Sequence, residues 1–199
     1  IITGPNALYQ VYDIVGIDDN SSYVFADVIS IDDNQGNGNG RIDFNELINL
    51  DIDFFNEGAL DADDVIAELS TQDNDFVEII NSNINIGSVT SNSSVSIEDA
   101  FTIKISDDIS DQEYIHMSLV CTDGNNVWQQ ELEYKVLAPV FEIYELEYDD
   151  SMGDGNGFVD AGETIQIHMS GKNIGHSKCD NILVHGTSSS SYVSFEEND

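Results

Sequence analysis

Apolar and polar residues alternate with a two-residue period along much of the chain. Ile48, Leu50, Ile52 and Phe54 are separated by Asn49, Asp51 and Asp53. Further on, Ile165, Ile167 and Met169 alternate with Gln166, His168 and Ser170. Successive side chains leave a strand on opposite sides, so this period predicts strands with one face turned inward. The stretches Tyr23 to Ile31 and Phe141 to Tyr148, rich in β-branched and aromatic residues, predict a strand just upstream of each alternating run. Further strands are expected from Asn83 to Val89, Phe101 to Ile105, Tyr114 to Thr122 and Val127 to Leu137. Leu60 to Leu69 is the one helical competitor, but Val65, Ala67 and Leu69 alternate and a strand serves equally. Short strands separated by Gly, Asn, Asp and Ser turns predict an all-β chain of antiparallel, immunoglobulin-like sandwiches. Trp128 lies in an alternating run through Leu132 and Tyr134 and is expected in or at the edge of a core rather than on a ligand platform.

The pattern repeats. Asp33 and Asp150 are 117 residues apart, and the same offset aligns Asn56-Glu57-Gly58 with Asn173-Ile174-Gly175 and Asp63-Asp64-Val65 with Asp180-Asn181-Ile182. A period of this length is that of a domain able to enclose its own core, since solenoid units run to about 20 to 50 residues. Three regions follow: residues 1–22, as the tail of a preceding region or an extra strand from Tyr9 to Ile17; residues 23–138, one complete sandwich; and residues 139–199, the first half of a second copy. Ala138-Pro139 forms a compact joint between the copies. The missing half and the lack of an initial methionine predict a fragment of a longer polypeptide.

Between the first two strands of each copy lies the same run. Asp33-Asn34-Gln35-Gly36-Asn37-Gly38-Asn39-Gly40-Arg41-Ile42-Asp43-Phe44-Asn45-Glu46 recurs as Asp150-Ser151-Met152-Gly153-Asp154-Gly155-Asn156-Gly157-Phe158-Val159-Asp160-Ala161-Gly162-Glu163. In a twelve-place frame ending at the glutamate, Asn37 and Asp154 fall third, Asn39 and Asn156 fifth, Asp43 and Asp160 ninth, and Glu46 and Glu163 twelfth. That is the oxygen-ligand spacing of an EF-hand calcium loop. The carbonyls of Arg41 and Phe158 take the seventh place. Gly40 and Gly157 supply the sharp turn, and Ile42 and Val159 offer an apolar anchor. Place one fails, because Gln35 and Met152 stand where an Asp belongs and a thioether suits a hard cation poorly. At least one member of each pair Asp32-Asp33 and Asp149-Asp150 is expected to complete the site. Strands on both sides argue against a helical EF-hand sensor, which stays as an alternative.

The run Gly-Asn-Gly-x-x-Asp-x-Gly-Glu, followed by an alternating strand and Lys-Asn-x-Gly, resembles the accessory β-sandwich repeats downstream of the catalytic domains of gingipain-like cysteine peptidases and other large secreted proteins. Val65 to Ser70, Ile86-Gly87-Ser88-Val89 and the Trp-bearing strand Val127 to Leu137 follow in the order of that family. Phe44-Asn45 departs from it, where Ala161-Gly162 keeps the usual small residue and glycine. The resemblance implies a non-enzymatic spacing, stalk or adhesion role outside the cell, often with type IX export, and carries over no catalytic residues.

Composition sharpens this picture. The chain holds 39 acidic against 5 basic residues, a net charge of −34, which structural calcium, one ion per copy, would partly offset. A halophile's solvated surface is the competing account of the acidity. Arg41, Lys104, Lys135, Lys172 and Lys178 are scattered, which argues against a nucleic-acid partner, and no apolar run reaches the roughly 18 residues of a membrane span. The expected partners are neighbouring domains of the same polypeptide and, in a second function class, surface glycans or proteins bound by rows such as Tyr9 and Tyr12 or Tyr144 and Tyr148. Cys121 and Cys179 occupy non-equivalent places and are expected as small buried hydrophobes rather than a disulfide. A separation of five places His116 and Cys121 on opposite faces of a strand, against a nucleophile pair. His168, His176, Cys179 and His185 have no equivalents in the first copy and make a weak transition-metal signal. Asn20-Ser21-Ser22 and Asn92-Ser93-Ser94 fit the glycosylation triplet.

Overall fold

The computed structural model describes residues 20–180 and 182–195, so Tyr9, Tyr12 and the first expected strand lie outside it. The described residues are all-β and contain no helix. Ten strands follow in order: β1 (Val24–Asp32), β2 (Leu47–Asn56), β3 (Ala62–Thr71), β4 (Val77–Asn81), β5 (Asn83–Val89), β6 (Ser93–Ile105), β7 (Tyr114–Thr122), β8 (Val127–Lys135), β9 (Phe141–Asp149) and β10 (Gln166–Asn173). The helical competitor between Leu60 and Leu69 is therefore strand β3, with Val65, Ala67 and Leu69 buried on one face as their alternation requires.

Two four-stranded antiparallel sheets, ordered β1-β2-β6-β4 and β5-β3-β7-β8, enclose a single core. Along β2 every second residue is buried, and Ile48, Leu50, Ile52 and Phe54 face Val65, Ala67 and Leu69 of β3 and Ile115, Met117 and Leu119 of β7 across the sandwich. Trp128 is buried in the same core. β4 and β5 are separated by Ser82 alone, and there the chain passes from one sheet to the other.

The second copy is different. β9 and β10 form a two-stranded antiparallel sheet by themselves. Ile167 and Met169, expected to face inward, are exposed at 43% and 47%, as is Leu146 at 66%, because among the described residues no second layer opposes this hairpin. Residues 182–189, the counterpart of the β3 region, form no strand; β3 itself is held by hydrogen bonds to β5 on one side and β7 on the other.

Candidate metal centres in the two repeated loops

Each repeated run connects the first two strands of its copy, and the two are built with the same backbone contacts. Asp32 Oδ1 accepts the amide of Asn34 (2.9 Å) and Asp149 Oδ1 that of Ser151 (2.8 Å). These are Asx turns that start the loop, as the short acidic side chain favours. Contacts with the Ser151 amide and hydroxyl hold the Asp149 carboxyl below the usual carboxylate range, outweighing the small opposing effect of burial. The second Asp of each pair points into the loop. Asp33 Oδ2 accepts the amides of Asn39 (2.7 Å) and Gly40 (3.0 Å), and Asp150 Oδ2 accepts that of Gly157 (2.7 Å). The structure thus separates the roles within each pair, which spacing left open.

The closing glutamate reaches back over the loop. Glu46 Oε1 accepts the Asn37 amide (2.8 Å) and Oε2 that of Asp43 (3.0 Å); Glu163 does the same with Asp154 (3.1 Å) and Asp160 (2.7 Å). In the fifth place Asn39 Oδ1 accepts the Arg41 amide and Asn156 Oδ1 that of Phe158, both at 2.8 Å. The side-chain amides of Asn37 and Asn39 donate to Asp43 Oδ2 at 2.6 and 2.7 Å, and Asn156 donates to Asp160 Oδ2 at 2.9 Å. Gly40 and Gly157 have φ of 75° and 85°, in the left-handed region the sharp turn demands. Asn45, which stands where the second copy has Gly162, keeps the same backbone with φ 55°; Asn is the side chain that best tolerates this region. The Lys104 ammonium donates to its carbonyl and side-chain oxygens.

Gly36 and Gly153 were not singled out by the ligand frame. A Cβ on Gly36 would lie 2.4 Å from Glu46 Cγ, and one on Gly153 2.6 Å from Glu163 Oε1. Glycine here lets the glutamate fold over the loop. Its recurrence at the same place in both copies is the one sequence signal that would have marked it.

The electrostatics of the first loop are those of an anion cluster taken out of water. Asp33, Asp43 and Glu46 are exposed by only 5%, 1% and 5%. None of the ion pairs formed among the described residues involves them. Burial, followed by the charges of Asp43 and Asp33, pushes the Glu46 carboxyl up against the opposing effect of its two backbone donors. Asp43 Oδ1 is buried without a hydrogen-bond partner. A buried carboxylate oxygen with no donor is costly unless a cation meets it. In the second loop, carboxylate oxygens of Asp154, Asp160 and Glu163 lie within 4.8 Å of one another, with Asp154 and Asp160 exposed. The donors are all hard oxygens, the chemistry that suits calcium.

Other candidate chemistry finds no such assembly. Cys121 is a buried thiol whose pKa burial pushes to about 12, while His116 is exposed on the other face and pairs with Asp73 and Glu133. Cys179 is half-buried rather than buried. Among the described residues His168, His176, Cys179 and His185 do not converge as a metal-binding group. No helix among these residues is long and apolar enough to cross a membrane. No family model matches the chain, and no curated protein matches it.

Proposed function

We propose that each loop holds one calcium ion in a structural role, and that the chain is a non-enzymatic stalk or accessory region of tandem immunoglobulin-like sandwiches from a large secreted or surface-attached protein. The observation that carries this reading is the buried trio Asp33, Asp43 and Glu46 with Asp43 Oδ1 unpartnered. The side-chain oxygens of Asp33, Asn37, Asn39, Asp43 and Glu46, with the Arg41 carbonyl, would hold the ion in the first loop. Asp150, Asp154, Asn156, Asp160 and Glu163, with the Phe158 carbonyl, would hold it in the second. The bound cation supplies positive charge where the fold has concentrated carboxylates, and it tethers the start of each loop to its end. Asp32 and Asp149 act as turn caps. Sheet orders β1-β2-β6-β4 and β5-β3-β7-β8 support the immunoglobulin-like description, because the seven-stranded form pairs A-B-E-D against C-F-G. The acidity and the resemblance to accessory repeats of gingipain-like proteins support a location where calcium is abundant, with neighbouring domains of the same polypeptide as partners.

Calorimetry tests the reading in two ways. Titration with calcium chloride should show two binding events, and chelator should lower the melting temperature. No heat of binding and an unchanged melting temperature would refute it. An adhesive module for glycans or proteins is favoured only by the exposure of Tyr144 (61%) and Tyr148 (52%). Both already have partners in the chain: Lys172 lies over the Tyr144 ring, and the Tyr148 hydroxyl donates to the Gly157 carbonyl. Binding on a glycan array, lost in Tyr144→Ala, would establish that role.

A further inference from the structure

The first loop is built into the joint between the two copies. Leu137 donates its amide to the Ile42 carbonyl (3.0 Å) and accepts the Phe44 amide (2.8 Å), so the linker pairs with the two residues flanking Asp43. The next residue, Ala138, is gripped from both copies. Its amide donates to Asp111 Oδ1 (3.0 Å), and its carbonyl accepts the amides of His176 (3.1 Å) and Ser177 (3.3 Å). Past Pro139, Val140 donates to Asn173 Oδ1 (3.0 Å) and accepts the Ile174 amide (2.7 Å). Asp111, between β6 and β7, also accepts the His176 ring nitrogen at 2.7 Å.

The same turn serves both copies. Asn56 Oδ1 accepts the amides of Tyr23 (3.0 Å) and Gly58 (2.9 Å), as Asn173 Oδ1 accepts those of Val140 and Gly175. A Cβ on Gly58 or Gly175 would lie 2.4 Å from the carbonyl oxygen of Ser21 or Ala138. The joint between the copies adds two things that are not repeated in this form: the Asp111–His176 pair, where the first copy has Ala59, and the direct contact with the first loop.

We propose that calcium in the first loop sets the stiffness of the joint, so that the copies are held as one body when the loop is filled and move independently when it is not. This rests on the calcium reading above. The coupling element is the short bridge from Ile42–Phe44 through Leu137 to Ala138. An empty loop leaves three crowded carboxylates around the strand segment that Leu137 pairs with, and their repulsion loosens that segment. Filling the loop fixes it.

Amide hydrogen exchange and ¹⁵N relaxation on the full chain, with calcium chloride or chelator, test this. Calcium should slow exchange at Leu137, Val140, Ile174, His176 and Ser177 by about tenfold or more beyond any change at the core amides of Leu50 and Ile103. It should also bring β9–β10 to the tumbling rate of β1–β8. Asp43→Asn should abolish the effect, whereas Asp160→Asn should preserve it. Should Asp43→Asn fail to fold by circular dichroism, Asp111→Asn tests the same path from the joint, and it should free the second copy while leaving both calcium heats intact. Calcium heats at the first loop without a change at the joint would overturn the proposal and leave the loop reading standing. Dependence on Asp160 instead of Asp43 would also overturn it, and an absence of calcium heat would remove the reading on which it rests.

Discussion

The loops from Asp33 to Glu46 and from Asp150 to Glu163 share a backbone design and differ in what surrounds them. In the first, Ile42 is 2% exposed and anchors the loop in the core, with Phe44 packed beside it; in the second, the equivalent Val159 is 58% exposed. The first has three inward carboxylates, nearly out of water. The second has Asp154 where the first has Asn37, hence a fourth carboxylate, yet it stays open to solvent. The comparison separates two ways of favouring a cation: more charge in water, where screening weakens each contribution, or fewer charges in a dry setting, where each counts for more. It also shows that the loop geometry is local, because near-identical amide-to-carboxylate contacts form with and without a core beneath them.

Truncating the anchors should expose this difference most. Ile42→Ala is expected to destabilise the sandwich by about 2 to 5 kcal/mol, as for other buried large-to-small changes. Val159→Ala should stay within about 0.5 kcal/mol. Chemical denaturation of both variants checks this, and equal effects would mean that the two loops are equally anchored. Withdrawal of calcium comes next. At a hundredfold excess over its dissociation constant an ion adds about 2.7 kcal/mol, so chelator should lower the sandwich melting temperature. Asp43→Asn should remove most of that response, and Asp160→Asn little of it.

Gly36→Ala should cost about 1 to 3 kcal/mol by forcing Glu46 off the loop, and should weaken calcium binding there. Gly153→Ala should weaken binding at the second loop with a smaller change in melting, since Glu163 is less enclosed. Titration calorimetry separates the two sites.

The smallest effect concerns pH at the joint. Burial alone would raise the Asp111 carboxyl, but hydrogen bonds from the His176 ring and the Ala138 amide, with the imidazole charge, hold it below the ordinary value of 3.8. A depressed folded pKa gives stability that is present above the unfolded value and lost as pH falls through the folded one. In chelator, exchange at His176 and Ser177, corrected for its intrinsic rate, should therefore accelerate only below about pH 3.8. Asp111→Asn should remove that dependence.

Much of the fold was legible from residue order. The alternation from Ile48 to Phe54 identified β2, because a two-residue period has no helical equivalent over such a length, whereas the shorter run of Val65, Ala67 and Leu69 left helix and strand both open until the structure showed β3. The same period misled at Ile167 and Met169. Alternation shows that a strand has an apolar face, not that anything covers it. The oxygen-bearing residues that meet in each loop were legible because they recur at the same spacing in both copies. Which Asp of each pair turns inward was not, since Asp32 and Asp33 are chemically identical and differ only in the direction that the backbone gives them. Asp111 was invisible for another reason: it meets His176 from 65 residues away, through a contact with no local periodicity.

The sequence by itself determined the all-β class, the 117-residue period and the acidic loop frame, because these follow from side-chain alternation, repetition and ligand spacing along a short stretch of chain. Only the tertiary structure decided that one loop is buried and its copy exposed, that Asp43 Oδ1 is left without a donor, and that the first loop grips the linker at Leu137. Those outcomes depend on which surfaces meet across the sandwich and the joint, and burial, unlike spacing, is a property of the whole packing.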